Sequence, residues 1–100
     1  MNILITARKF KARQTLKDFI TSEVSSLKKY NDDILSADVK LSYLNSKDGT
    51  KSAEIILQVP GQILSATEET DDFEKSVSMA VEKLVRQLKK LKTRRIQKVR

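Results

Sequence analysis

Placed on a helical wheel with Phe73 at zero, Lys75, Lys83, Arg86, Lys90 and Arg94 fall within an arc of roughly 100°. They form one basic ridge along a helix. Lys89 and Lys92 lie on its other flank, so positive charge wraps the exposed side. Spacings of three and four residues bring like charges together, at a cost of a few tenths of a kcal/mol per pair unless a polyanion relieves it. An ordinary solvated helix face mixes signs, whereas from Lys83 to Arg100 there are nine Lys or Arg and no Asp or Glu. Phosphate contact would turn that repulsion into attraction and release counterions. The chemistry that this pattern supports is electrostatic recognition of a polyanion.

Other chemistries find little material. There is no Cys and no His, which removes thiolate metal sites, disulfides, and the commonest metal ligand and general base. The only carboxylate cluster is Glu68, Glu69, Asp71, Asp72 and Glu74. It surrounds a helix start, where capping and the helix dipole account for acidic residues without catalysis. The expectation is a protein that is not an enzyme, with no cofactor, no metal and no small-molecule substrate. The five aromatics, Phe10, Phe19, Tyr30, Tyr43 and Phe73, read as core or core-edge residues. A stacking platform for single-stranded bases would need them on an open sheet face. Shape-and-phosphate recognition of folded RNA is favoured instead.

The elements that must position the ridge follow from hydrophobic period. Ile3, Ile5 and Ala7 alternate in a short first strand that ends near Arg8, Lys9, Lys11 and Arg13. Leu16, Ile20, Val24 and Leu27 form a helical stripe, predicting a helix from about Gln14 to about Lys29, with Thr15-Leu16-Lys17-Asp18 resembling a capping box. Asn31-Asp32-Asp33 should end it. Val39, Leu41 and Tyr43 give a second strand, and Asp48-Gly49 a turn. Ala53, Ile55, Leu57 and Val59 give a third strand that Pro60-Gly61 terminates, and 62–68 a fourth. Phe73, Val77, Ala80, Val81, Leu84, Leu88 and Leu91 share one face of a last helix capped by Asp71-Asp72. The order βαβββα predicts an α+β fold. It has a four-stranded sheet with two helices packed on one face, the first two strands parallel and the other pairs antiparallel.

With 100 residues, 39% of them hydrophobic, the chain suits one domain with one modest core. The expected division is a folded unit over 1–93 and a basic tail over 94–100. No stretch approaches the roughly 18 apolar residues of a membrane span, and the N-terminus lacks a signal peptide's basic region, so a soluble, unsecreted protein is expected. Of the net charge of +7, residues 71–100 carry ten basic and four acidic side chains, a net of +6.

Asp72-Phe73, Val77 and the run Lys83-Leu84-Val85-Arg86-Gln87-Leu88-Lys89-Lys90-Leu91-Lys92 resemble the second helix of the ribosome hibernation-promoting (ribosome-associated inhibitor) family. Leu16, Phe19, Leu27, Tyr30 and the strand order extend the resemblance over nearly the whole chain. It implies a βαβββα domain that lies in the mRNA and tRNA channel of the small ribosomal subunit and contacts rRNA of the decoding region through basic helix residues. Translation would stop by occlusion and idle ribosomes would be stabilised, as in stationary phase or stress. Carried over position by position, the matching residues are Lys83, Arg86, Lys90 and Lys92. With the ridge, its flank and the other basic clusters, the candidate rRNA contacts are Lys83, Arg86, Lys89, Lys90, Lys92, Arg94, Arg95, Lys28, Lys29 and Arg8.

The chain departs from the family's pattern at Glu23 and Ser26, where basic residues are common. It departs again at Glu74, where Tyr is common, at Ser78, where the family has Asp, and at Arg13, which takes the place of a capping Thr. Members occur in a short form and in a long form whose extra domain pairs ribosomes, so ribosome dimers are a secondary partner in this reading. A cytoplasmic location is expected, with a plastid as the alternative. Two other readings stay open: a constitutive ribosomal protein or general double-stranded RNA binder, and a module for an acidic protein partner.

Overall fold

The computed structural model describes the backbone of residues 1–45 and 49–98, and side chains for 1–44 and 49–91. The expected order is present: β1 (Asn2–Ala7), α1 (Gln14–Ser25) continued by a 3-10 turn (Ser26–Lys29), β2 (Ser36–Asn45), β3 (Thr50–Val59), β4 (Gln62–Thr70) and α2 (Phe73–Lys98). The strands lie in the order β1-β2-β3-β4, with β1 and β2 parallel and the other pairs antiparallel.

Alternation decides which side is buried. In register, Ile3, Ala37, Leu57 and Leu64 form one row across the sheet, and Ile5, Val39, Ile55 and Ala66 the next. Ile20, Val24 and Leu27 from the first helix pack on this face with Phe73, Val77, Ala80, Val81, Leu84 and Leu88 of α2. The opposite face is not covered by any of the described residues and mixes Leu4 and Ile63, both exposed, with Thr6, Lys40, Glu54 and Thr67.

Local chemistry sets the boundaries. Asp72 caps α2 as expected: its Oδ1 accepts from the Glu74 N–H at 3.2 Å, and its carbonyl from the Ser76 N–H at 2.9 Å. The fully buried Ser76 hydroxyl donates to the Lys51 carbonyl at 2.8 Å and lies 2.7 Å from Thr70 Oγ1, tying the helix start to β3 and β4. Gly61, at φ +77°, turns the chain from β3 into β4 after Pro60. The Asn31 Oδ1 accepts from the Asp33 N–H at 2.7 Å in the turn after the first helix.

The expected capping box of α1 does not form. Arg13 stands at the N-cap position, and no side chain caps the helix, because a guanidinium has donors and no acceptor. Asp18 instead accepts from Gln14 Nε2 at 2.9 Å within the helix. The last turn tightens to 3-10 geometry from Ser26, so the α-helical part ends four residues before the predicted Lys29. At the other end of the chain the α2 backbone stays helical across 93–94 and through Lys98.

Lys9, between β1 and α1, has φ +63°, a left-handed conformation that costs a residue with a Cβ of order 1 kcal/mol. Lys9→Gly is expected to raise unfolding free energy by up to about 1 kcal/mol in urea denaturation, while Lys9→Ala, which keeps the Cβ, gives no such gain.

Candidate nucleic-acid interface

Burial of the α2 stripe fixes the rotation of the helix about its axis. Val77, Ala80, Leu84 and Leu88 point into the core, so Lys75, Arg86 and Lys90 point outward and are exposed. Arg86 and Lys90 have no acidic partner among the described residues. One turn of helix separates them, an axial rise of about 6 Å. The exposed Met79 sits on the same arc between Lys75 and Lys83. The backbone of Lys92, Arg94 and Arg95 continues α2, but their side chains lie outside the described residues.

Lys83 has a different surrounding from the one its helix alone suggests. Its Nζ lies 2.9 Å from Glu68 Oε1 on β4 and donates to the Thr67 carbonyl at 3.4 Å, with the side chain 47% exposed. One turn on, Gln87 Nε2 donates to the Ser65 carbonyl at 2.8 Å. β4 is an edge strand, and the 83–87 flank of α2 satisfies two of its free carbonyls, which blunts that edge against pairing with another chain. The run from Lys83 to Arg100 contains no acid, but the sheet supplies one to Lys83 from outside the helix, so Lys83 is not an unpaired charge as the helix alone suggests. Of the ridge, Lys83 is the member shared between scaffold and surface.

The other flank of α2 faces the first helix. Lys89 Nζ lies 5.7 Å from the ring centroid of Tyr30, just after the 3-10 turn that carries the exposed Lys28 and Lys29. These two lysines also stand in the last turn of that segment, where the partial negative charge of a helix end favours cations. Ser78 Oγ donates to Glu23 Oε1 at 3.1 Å, so two of the departures from the family pattern meet each other across the helix pair. Arg8 is not part of this surface. It leaves the far end of β1, where its N–H donates to the Leu41 carbonyl, about the length of a strand away from the 3-10 turn.

Tyr30 and Tyr43 are not core residues: both are exposed, Tyr43 by 48%. Phe10, Tyr43 and Phe73 gather into one aromatic triangle at the end of the sheet where both helices begin, with centroids 5.0 to 5.2 Å apart. The sequence carries no periodic signal for it, since its members come from a linker, a strand end and a helix start. Within the acidic cluster, Glu68 pairs with Lys83 and Asp72 caps α2. Among the described residues, no group of three or more acidic side chains is placed to hold a metal ion, and no helix is long and apolar enough to cross a membrane.

A family model described as "Sigma 54 modulation protein / S30EA ribosomal protein" matches residues 3–96. The chain belongs to this family. Among proteins of known role, it is 29% identical over 92 residues to a ribosome hibernation promotion factor of Deinococcus radiodurans. That match covers 90% of this chain and 48% of the relative. A ribosome hibernation promotion factor of Bacillus subtilis is 26% identical over 94 residues, covering 94% of this chain and 50% of the relative. The chain thus spans about half the length of these relatives. Among solved structures, the N-terminal domain of Thermus thermophilus Protein Y superposes with a TM-score of 0.81 at 29% identity, over 91% of this chain and 99% of that one. A ribosomal subunit interface protein of Coxiella burnetii superposes with a TM-score of 0.83 at 24% identity, over 93% and 99%, and shares the fold. The family's βαβββα arrangement is therefore the arrangement of this chain.

The two sides of the ridge should separate experimentally. Lys83→Gln removes a surface ion pair and a strand-edge hydrogen bond, and is expected to lower unfolding free energy by up to about 1 kcal/mol. Arg86→Gln, with no acidic partner to lose among the described residues, should leave it unchanged within about 0.3 kcal/mol. Urea denaturation of the two single variants checks the difference.

Proposed function

We propose that the chain is a ribosome hibernation factor that binds small-subunit rRNA in the mRNA and tRNA channel and inhibits translation by occlusion. The observation that carries this reading is the outward basic face of α2, with Arg86 and Lys90 free of acidic partners among the described residues, in a chain of this family. Like charges one turn apart repel in the free protein, and a phosphate backbone laid along them relieves that repulsion. The apolar stripe on the opposite side holds the ridge rigid, so little ordering is spent on binding. Lys83 adds its charge from the β4 side, and Lys28, Lys29 and Lys89 add theirs from the first-helix side. Lys92, Arg94 and Arg95 prolong the basic run. Residues 1–93 act as the ribosome-binding unit and 94–100 as its basic extension.

Inhibition in this reading is stoichiometric, without turnover, cofactor or small-molecule substrate. It takes place wherever the target ribosomes are, in the cytoplasm or in a plastid. The partner is an idle ribosome with an empty channel, which the bound domain keeps from initiator tRNA and mRNA.

Chemical footprinting on small subunits tests the location: protections are expected along the mRNA and tRNA path, and protections elsewhere would refute it even with tight binding. Co-sedimentation across growth phases separates this role from a constitutive ribosomal protein, which would be present on all ribosomes. The double substitution Arg86→Gln and Lys90→Gln should flatten the slope of log affinity against log salt by roughly one and a half units. Lys40→Gln, on the uncovered sheet face, should change it far less. Equal loss from Lys40→Gln would make net charge, and not a defined face, responsible.

A further inference from the structure

The aromatic triangle lies at the opposite end of the sheet from the basic turn of the first helix, and the α2 ridge does not use it. Tyr43 continues the helix-facing side of β2 one step beyond the buried Leu41, which carries its ring past the start of both helices and leaves it half exposed. Its orientation is fixed. Phe10 and Phe73 stack on each other at 5.0 Å with 13° between their planes, and each meets Tyr43 nearly edge to face, at 5.1 and 5.2 Å. Lys51 Nζ stands 5.5 Å from the Tyr43 centroid, held by the Gly49 carbonyl at 3.0 Å and the Asp71 carbonyl at 3.1 Å. Lys51 stands over one face of the ring and the two phenylalanines meet it nearly edge to face, so the part of the half-exposed ring that these neighbours leave open is held in place for stacking.

The ring borders a hollow of about 340 Å³ whose walls include Phe10, Lys11, Arg13, Asp72 and Glu74. This is the low end of the range for small-ligand sites, about 300 to 1,000 Å³, and matches one nucleotide better than anything larger. Its polar groups are divided in kind. Lys11 and Arg13 stand at the start of α1, which has no capping side chain and no acidic residue in its first turn, so the positive end of that helix adds to their charge. Asp72 and Glu74 are acceptors, and one Asp72 oxygen is already engaged by the Glu74 N–H. Carboxylates repel phosphate and accept from exocyclic amino groups.

We infer that this hollow binds a single unstacked RNA base, stacked on the part of the Tyr43 ring that Lys51 leaves open, its amino edge toward Asp72 and Glu74, and its phosphate against Lys11 and Arg13. The inference rests on the RNA-binding reading above and adds to it a base-contacting site separate from the phosphate ridge. Recognition of RNA by splayed bases on aromatic rings needs the ring, acceptor and cation within one nucleotide of each other, and this end of the fold assembles all three.

The chain has no Trp, so Tyr43→Trp supplies a unique fluorophore at the stacking position. Titration of this variant with single-stranded pentanucleotides is expected to quench its fluorescence, more strongly with oligo(C) than with oligo(U), which differ in the amino group that the carboxylates would accept. Tyr43→Leu, with its urea midpoint measured alongside, should bind both oligo(C) and small subunits about five- to hundredfold more weakly, the range expected for one lost base stack. Arg86→Gln with Lys90→Gln should weaken subunit binding and leave oligonucleotide quenching intact. Absence of quenching by any pentanucleotide, or parental affinity in a folded Tyr43→Leu variant, would overturn the site while leaving the hibernation reading standing. Equal quenching by oligo(C) and oligo(U) would overturn the assigned role of the carboxylates. Quenching that persists in a chain that fails to bind small subunits would support the site and refute the hibernation reading.

Discussion

The structure depends on the packing of one helix stripe against one sheet face. Val77, Ala80, Leu84 and Leu88 of α2 occupy the core with Val39, Leu41, Ile55 and Leu57 from the central strands. A sheet with one apolar face must cover it, and a 26-residue helix with an apolar stripe must bury that stripe, so each element meets the other's requirement. Close packing admits few rotations of the helix. The direction of the exposed side chains described on α2 follows, which makes a hydrophobic interaction the reason that Arg86 and Lys90 share an outward face.

The same docking settles what happens at the sheet's free edge. β4 has no strand beyond it, and its Thr67 and Ser65 carbonyls are met by Lys83 and Gln87 from the helix above. Charge on α2 therefore serves two ends. On the 83–87 flank it closes the scaffold, and on the outward arc Arg86 and Lys90 face solvent without an acidic partner among the described residues. The helix pair is tied in a similar way, with the Ser78 hydroxyl donating to Glu23 across it.

Basic character is spread over more than one place. The ridge and the 3-10 turn lie on the helical side, whereas Arg8, Lys11 and Arg13 cluster where the strands end and the helices begin, beside the aromatic triangle. A surface that mixes cations, a half-exposed ring and carboxylates has a different chemistry from a bare cationic stripe, because it can address a base as well as a phosphate.

Much of this was legible in the sequence because it depends on periodicity. Alternation in β2 and β3, the stripe of α2 and the Pro60-Gly61 turn are local patterns, and they determined the order of elements, the buried face and the basic arc. Tertiary structure decided what depends on distant neighbours. Glu68 reaches Lys83 only because β4 lies beneath that flank of α2, and Lys89 reaches Tyr30 only because the first helix ends there. Phe10, Tyr43 and Phe73 become one cluster only when three chain segments converge. Helical and strand periods report which way a side chain points from its own element, whereas pairing across elements is set by how those elements dock, and no spacing along the chain records it.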